Sequence, residues 1–422
     1  MACATVAPPN TVQAHVLARN ITSLGQVFTT PAIVALMLSL RERHGRVLEP
    51  SAGAGAFSAQ LPGCVAIELD PQVADDSMIQ GDFFAYPSHE RFDTVIGNPP
   101  YVRFQDIPEA TRARLDMRHF DGRSNLFLFF IDKCLDHLTD HGELIFIVPR
   151  EFIKLTAARK LNRRLFDLGT ITHWIETGDT RIFDGAVPNC AIFRFEKNNF
   201  SRRTRYRTLQ ATTWESRHFI EMDGQLAFSP AHMSVPLSAL FSVKVGAVSG
   251  ADDVFAHPEG NVEFVCSQTI DTGATRRMLY NQPHPHLQAH KPRLLERRVR
   301  PFSEANWWHW GRGYPQTDAP RIYVNGRTRR KAPFFLHPAT AYDGAILALF
   351  PHDTALPLDE ATRLLNTAVP WEALGFWVDG RFLFTQRSLQ TLVLPDVFQP
   401  LVGTPAPAPP DDAPTPRLGQ DA

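Results

Sequence analysis

Val47-Leu48-Glu49-Pro50-Ser51-Ala52-Gly53-Ala54-Gly55-Ala56-Phe57 is where the fold first shows itself. Its opening residues are apolar, Pro50 interrupts them, and glycine then alternates with alanine until the apolar pattern resumes. That order predicts a buried strand, a tight glycine turn and a helix whose first N–H groups point outward. A lone Gly-x-Gly is a weak signal, because any strand-to-helix turn can use one. Two neighbours sharpen it. No Gly-Lys-Ser/Thr follows, which excludes a Walker-type phosphate loop. A second acidic residue, Glu68, lies 19 residues after Glu49 at the end of the next apolar run, where a nucleoside-binding sheet carries its ribose carboxylate.

Working outward, short apolar runs recur at Arg46–Leu48, Val65–Leu69, Thr94–Ile96 and Leu144–Val148, and each reads as a buried strand. Helical patterns lie between and before them. Thr30 and Pro31 form an N-cap and first turn ahead of Ala32–Arg43. In Asn125–Leu138, Leu126, Phe130, Cys134 and Leu138 recur at four-residue spacing. The pattern predicts an α/β fold with a doubly wound, mostly parallel, Rossmann-like sheet that binds ligands beyond its strands' carboxyl ends. At one such end, directly after Asp93–Ile96, stands Gly97-Asn98-Pro99-Pro100-Tyr101. Two consecutive prolines stiffen the chain there and fix where the Asn98 amide and the Tyr101 ring point.

The chain has 422 residues, 44% apolar and 21% charged, ordinary for a soluble globular protein of two domains. Its longest apolar runs, Ala32–Leu38 and Leu126–Ile131, are too short to span a bilayer, and MACATVAPPN lacks the features of a signal peptide. Five scattered cysteines without a Cys-x-x-Cys exclude a zinc ribbon or disulfide framework and fit a reducing cytoplasm. Charge divides unevenly: residues 1–200 carry a net −3, residues 201–400 a net +4, and residues 291–331 alone a net +8. An anionic partner held mainly by the second half is expected. Lys197–Thr208 is polar and basic and reads as a linker; from Pro400 the chain is rich in Pro and Ala and reads as a disordered tail. The expected organisation is an N-terminal segment at 1–20, a catalytic domain at 21–200, a linker at 201–210, an α+β domain at 211–400 and the tail at 401–422.

The motifs taken in order resemble those of S-adenosylmethionine-dependent N6-adenine DNA methyltransferases of bacterial type II restriction–modification systems, in the gamma arrangement. Gln26–Pro31 is similar to that family's cofactor-closing motif, Leu48–Phe57 to its first motif, Ala66–Asp70 to its second and Gly81–Phe84 to its third. Gly97–Tyr101 resembles the catalytic motif, His141–Pro149 the strand after it, and Arg181–Asp184 with Ala191–Phe195 a later motif. The likeness covers about residues 24–196; the second half is only loosely similar, in segments such as Gly246–Phe255 and Ser388–Pro395.

The resemblance implies transfer of a methyl group from S-adenosylmethionine to a flipped-out adenine in duplex DNA, with the second domain recognising the target. It implies that Asn98 and Pro99 activate the amino group, and that Tyr101 and Phe183 stack on the base. Thr29, Thr30, Pro31, Glu49, Pro50, Gly53, Gly55, Glu68, Asp82 and Phe83 would hold the cofactor. It also implies a bacterial, nucleoid-associated enzyme, acting as a monomer beside a restriction endonuclease without a stable complex. Two rivals stay open: an RNA-base or protein-glutamine methyltransferase sharing Asn-Pro-Pro-Tyr, and a non-catalytic specificity subunit.

In the second half, Arg312, Arg327, Arg329, Arg330 and Lys331 are candidates for phosphate contacts. Trp307, Trp308 and Trp310 are open between core and DNA surface. His284, His286 and His290 sit among prolines with no carboxylate or cysteine adjacent in sequence, so an exposed loop and no metal site are expected.

Overall fold

The structure, a computed structural model, describes residues 29–178 and 189–402. Gln26–Phe28, Phe183, the expected N-terminal segment and nearly all of the expected tail lie outside the described residues. The chain divides into two compact units. One comprises residues up to Met233 together with Pro370–Gly375; the other comprises Ser234–Val369 and the residues from Phe376 onward.

The first unit is built on ten strands: β1 (Val47–Glu49), β2 (Val65–Glu68), β3 (Ile79–Gln80), β4 (Phe92–Gly97), β5 (Leu138–Pro149), β6 (Gly169–Glu176), β7 (Cys190–Lys197), β8 (Arg203–Thr208), β9 (Glu215–Met222) and β10 (Gln225–Ser229). They form one sheet in the order β10-β9-β8-β6-β7-β5-β4-β1-β2-β3. Strands β3, β2, β1, β4 and β5 are parallel neighbours. Strand β7 inserts antiparallel between β5 and β6, and β9 runs antiparallel to β8 and β10, so eight strands share one direction.

Helices cover both faces of this sheet. Helix α1 (Pro31–Ser39) packs Ile33, Val34 and Met37 into the cluster holding Ile145 and Ile147. On the opposite face, α2 (Leu126–His137) and α3 (Arg159–Leu168) share a cluster with Phe146, Val148 and Phe193. Asn125 caps α2 through the Phe127 N–H. This is the expected doubly wound, Rossmann-like architecture. Strand order reverses between β1 and β4, which makes their carboxyl ends the switch point. A buried pair braces the sheet: Glu143 on β5 accepts from Arg194 Nε on β7 at 2.7 Å and from the backbone N–H groups of Glu42 and Arg43. Removing one partner would strand a buried charge, at a cost of about 3–5 kcal/mol.

Three expectations need correction. Residues 201–210 are no linker, because Arg203–Thr208 forms β8 within the sheet, parallel to β6. Arginines alternate there with Thr204, Tyr206 and Thr208, a period of two that suits a strand with one packed face. The first unit accordingly continues to Met233. After the glycine turn there is one 3-10 turn, Ser58–Gln60, rather than a full helix, and α1 ends at Ser39, short of Arg43.

The second unit mixes small sheets and short helices, as the α+β expectation had it. Phe241–Val245, Ile346–Pro351, Ile322–Asn325 and Phe334–Phe335 make a four-stranded antiparallel sheet. Trp307 and Trp310 are buried, and Trp310 stacks on Phe264 at 4.7 Å and 13° while its indole N–H donates to Leu279 O. The open choice for those two rings therefore falls to core. Buried Arg297 holds that segment by donating to the carbonyls of Leu294, Ser249, Trp307 and His309.

Candidate active site

Pro50 has no N–H for a sheet ladder and ends β1. The chain then folds back over the end of β2: Ala52 N donates to Ile67 O at 2.9 Å and Gly53 N to Glu68 Oε2 at 2.6 Å. Gly53 and Gly55 take φ of +53° and +74°, where a Cβ would be strained. A Cβ built on Gly53 would meet nothing within 4 Å, so the space beside the turn is open. Glu68 Oε1 accepts from Asp70 N at 2.8 Å, which fixes both carboxylate oxygens. Glu49 is 1% exposed and accepts from Ser58 N at 2.8 Å. Burial pushes its carboxyl up to about 7, and the nearby Glu68 charge adds to the rise.

A cavity of about 1050 Å³, its open mouth included, lies at this switch point. Glu49, Pro50, Gly53 and Glu68 line it from the ends of β1 and β2, Asp82 and Phe83 from the segment after β3, and Asn98 from the segment after β4. Thr29 lines it too, whereas Thr30 and Pro31 begin α1 and Gly55 shapes the turn. Asp82 Oδ1 caps the turn at Phe83–Ala85 by accepting from Phe84 N at 2.9 Å. Its Oδ2 is buried, accepts no hydrogen bond among the described residues, and lies 3.6 Å from Arg114 Nη1. Phe83 is buried and stacks on Phe130 of α2 at 5.2 Å.

The Asn98 amide donates to Thr29 Oγ1 at 3.2 Å, and the Asn98 carbonyl accepts from Ser51 Oγ at 3.2 Å. The segment after β4 is thereby tied to the glycine turn and to the entry of α1. Pro100 lines the cavity. Tyr101 is half-buried: its hydroxyl donates to Ile147 O at 2.9 Å and its ring meets Phe127 edge-on. Burial raises that phenol well above its usual range.

The sequence does not mark Lys133, Arg114 beside Asp82, or Thr111, which lines the cavity. Lys133 Nζ on α2 donates to Phe83 O at 2.6 Å and Tyr86 O at 2.9 Å, and sits 4.7 Å over the Phe83 ring. No local pattern marks it, because its partners lie about 50 residues away. Phe130 was visible only as part of a helical stripe, yet it also lines the cavity.

In the second unit, Arg327, Arg329, Arg330 and Lys331 are exposed, and Arg330 pairs with Asp271. Arg312 is exposed and donates to Gly246 O at 3.3 Å. The histidine run differs from expectation, since folding brings Glu259 within 3.0 Å of His284 Nε2. His257, Glu259 and His284 place three potential ligand atoms within 4.8 Å of one another. However, Nδ1 of each imidazole accepts a backbone N–H at 3.2 Å, from Glu259 and His286. In neutral rings that puts the proton on Nε2, which makes the cluster an internal hydrogen-bond set.

Residues 64–183 match the model of the Eco57I restriction–modification methylase family. The type II methyltransferase M.HincII of Haemophilus influenzae is 30% identical over 188 residues, covering 42% of this chain and 38% of that protein. M.TthHB8I of Thermus thermophilus is 30% identical over 200 residues, covering 42% of this chain and 45% of that protein. The chain thus spans less than half the length of these curated relatives. Among solved structures, the type IIL restriction–modification enzyme MmeI in complex with DNA is 12% identical, with a TM-score of 0.39 over 89% of this chain and 65% of that one. Among the described residues no helix is long and apolar enough to cross a membrane. The matched segment runs from the start of β2 past β6 and contains Glu68, Asp82, Asn98 and Tyr101, so it is this part of the chain that is similar to restriction–modification methylases of the Eco57I type and to type II methyltransferases.

Proposed function

We propose that this protein is an S-adenosylmethionine-dependent DNA methyltransferase that modifies adenine N6 within one short duplex sequence and so protects it from a restriction endonuclease. The observation that carries this reading is that Asn98, from Asn-Pro-Pro-Tyr, lines the same switch-point cavity as Glu49, Glu68 and Asp82.

The donor set fits the cofactor. Asp82 Oδ2, with no hydrogen bond of its own among the described residues, suits an adenine amino group. Glu68, its two oxygens oriented by the Gly53 and Asp70 N–H groups, lines the cavity at the end of β2, where a carboxylate suits ribose hydroxyls. Phe83 offers an aromatic wall, and Glu49 a carboxylate for the methionine ammonium. Bound there, the cofactor would supply a methyl group on a positively charged sulfur.

The chain's own residues do the rest. Adenine N6 is a poor nucleophile because its lone pair is delocalised into the ring. Asn98 Oδ1 and the Pro99 carbonyl accept its two N–H bonds and localise that pair on nitrogen. Thr29 fixes the rotation of the Asn98 amide, and Pro99 with Pro100 fixes the backbone. Positioning and electrostatics, rather than a general base, carry the step. The adenine is out of reach within a duplex, so it is flipped out and stacked on Tyr101, with Phe183 on the other face. The second unit recognises the target, and Arg327, Arg329 and Lys331 meet phosphates. The protein acts as a cytoplasmic monomer without a stable endonuclease complex.

Tritiated-methyl transfer to unmodified duplex DNA, RNA and protein in parallel tests this reading. Label in the adenines of DNA alone is the expected outcome. Label in RNA or protein instead would replace it.

A further inference from the structure

The basic segment that reads as a linker is a strand, and this gives its charge a defined place. Between residues 199 and 218 there are five arginines and one glutamate. Arg203, Arg205 and Arg207 occupy alternate positions of β8 and so share one face of the sheet, while Tyr206 packs into the core on the other. Arg203 and Arg205 are exposed and Arg207 is half-buried. The Arg207 guanidinium lies 4.7 Å over the Trp214 ring and that of Arg205 5.5 Å from it, so one aromatic face preorganises two cations. The Arg205 guanidinium has no hydrogen bond or ion pair among the described residues. The Arg203 guanidinium meets His218 Nε2 at 2.9 Å. Arg217 points to the other face, over Tyr206, and pairs with Glu215, so it does not belong to the stripe.

The register of the sheet gives the distance from this stripe to the candidate active site. Gly97 lies opposite Phe146, Phe146 opposite Phe193, Phe193 opposite Trp174 and Trp174 opposite Tyr206. Arg205 and Arg207 therefore flank the ladder row of Gly97, four strand spacings away, or about 19 Å. Strands β8 and β4 run in the same direction, so the stripe ends at the same edge of the sheet from which Asn98 emerges. At about 3.4 Å per step along one DNA strand, 19 Å is five to six nucleotides.

We propose that Arg203, Arg205 and Arg207 form a second anchor for the duplex, on the methylase unit itself, gripping sugar–phosphate backbone five to six nucleotides to one side of the target adenine. The inference rests on the DNA-methyltransferase reading above. Exposed Arg203 and Arg205 present N–H edges that suit phosphate oxygens, and Arg207, although its Nη1 donates to Ala211 O at 2.6 Å, keeps Nη2 for the same role. Because these contacts reach no base edge, they add affinity and orientation without adding sequence preference.

The test is the salt dependence of binding, read by fluorescence anisotropy on full-length protein with labelled duplexes. R203Q/R205Q/R207Q should flatten the slope of log K against log salt by up to ~2.7 units, at about 0.9 per phosphate contact. Between 50 and 200 mM salt the wild type should then lose up to ~40-fold more affinity than the variant. R203K/R205K/R207K should restore the slope, and near-UV circular dichroism should show both variants folded. Trimming the duplex to three base pairs on one side of the target should give wild-type protein the variant's slope; trimming the other side should not.

An unchanged slope in the glutamine variant, with wild type still binding and methylating duplex DNA, overturns this inference and leaves the proposed function standing. A wild type that binds no duplex DNA overturns both. A stripe-dependent slope seen on single-stranded RNA but not on duplex DNA would assign the surface to RNA and overturn the anchor as stated.

Discussion

Glu49→Gln should flatten part of the pH dependence of folding, and the size of the effect follows from where the carboxyl lies. It is 1% exposed, and burial raises it from 4.5 to about 7. Between those values the folded protein holds a proton that the unfolded chain releases. Stability from this group is therefore fully present below about pH 4.5 and is lost as pH rises through 7. A shift of that size corresponds to about 3 kcal/mol at 1.36 kcal/mol per unit. Glutamine keeps an oxygen for the Ser58 N–H but cannot ionise. In urea unfolding of ligand-free protein at constant ionic strength, the variant should gain about 3 kcal/mol on wild type between pH 4.5 and 8, with little difference at the acid end. Parallel pH profiles for the two proteins would refute the reasoning. The same carboxyl should ionise when a ligand's ammonium group binds beside it. Calorimetry at pH 6 in buffers of different ionisation enthalpy should therefore show proton release on S-adenosylmethionine binding by wild type and none by Glu49→Gln.

Other perturbations separate the remaining roles. Asp82→Asn replaces an acceptor by a group that can present a donor, and should weaken S-adenosylmethionine binding by roughly 10- to 100-fold, the worth of a hydrogen bond to a charged group; equilibrium dialysis reads it, and unchanged affinity would move Asp82 out of the cofactor site. Lys133→Met keeps the length of the side chain but deletes both bonds to the Phe83 and Tyr86 carbonyls. It should lower stability by about 1–3 kcal/mol and loosen cofactor binding, measured by thermal melts with and without ligand. Changing Arg327, Arg329 and Lys331 together to alanine should flatten the salt slope of DNA binding by up to ~2.7 units without changing the methylated sequence. A relaxed target would mean that one of these side chains reads a base.

The parallel half of the sheet was legible because buried parallel strands read as continuous apolar runs. Val65–Glu68 and Thr94–Ile96 stand out against the Gly, Pro and Asp that bound them. The candidate site was legible for the same reason: Glu49, Glu68 and Asn98 are placed by strand ends, which local sequence marks. Strand β8 was not, since five of its six residues are arginine or threonine. Its burial comes from Thr204, whose hydroxyl donates to Ile171 O, and from Tyr206 against Phe228, contacts that only tertiary pairing creates. Lys133 and Arg114 were hidden likewise, because a cation's role depends on which distant carbonyl or carboxylate the fold brings to it. The Trp307–Trp310 run was ambiguous for another reason. Tryptophans beside cations look alike on a DNA surface and in a core, and the Phe264 stack decides for core.

Asn98→Ala gives the most direct test, read by base-modification sequencing of DNA from a methylation-deficient host expressing wild type or variant. Wild type should place N6-methyladenine at one short sequence throughout the genome. The variant should leave that sequence unmodified while its purified form still binds S-adenosylmethionine, because truncating the amide spares Glu68, Asp82 and the glycine turn. Loss of the activating acceptor is expected to slow transfer by about 10²–10³-fold, as for one oxyanion-hole donor. Modification by the variant at close to wild-type density, or a wild-type mark on a base other than adenine, would contradict the assignment of Asn98 and of the reaction.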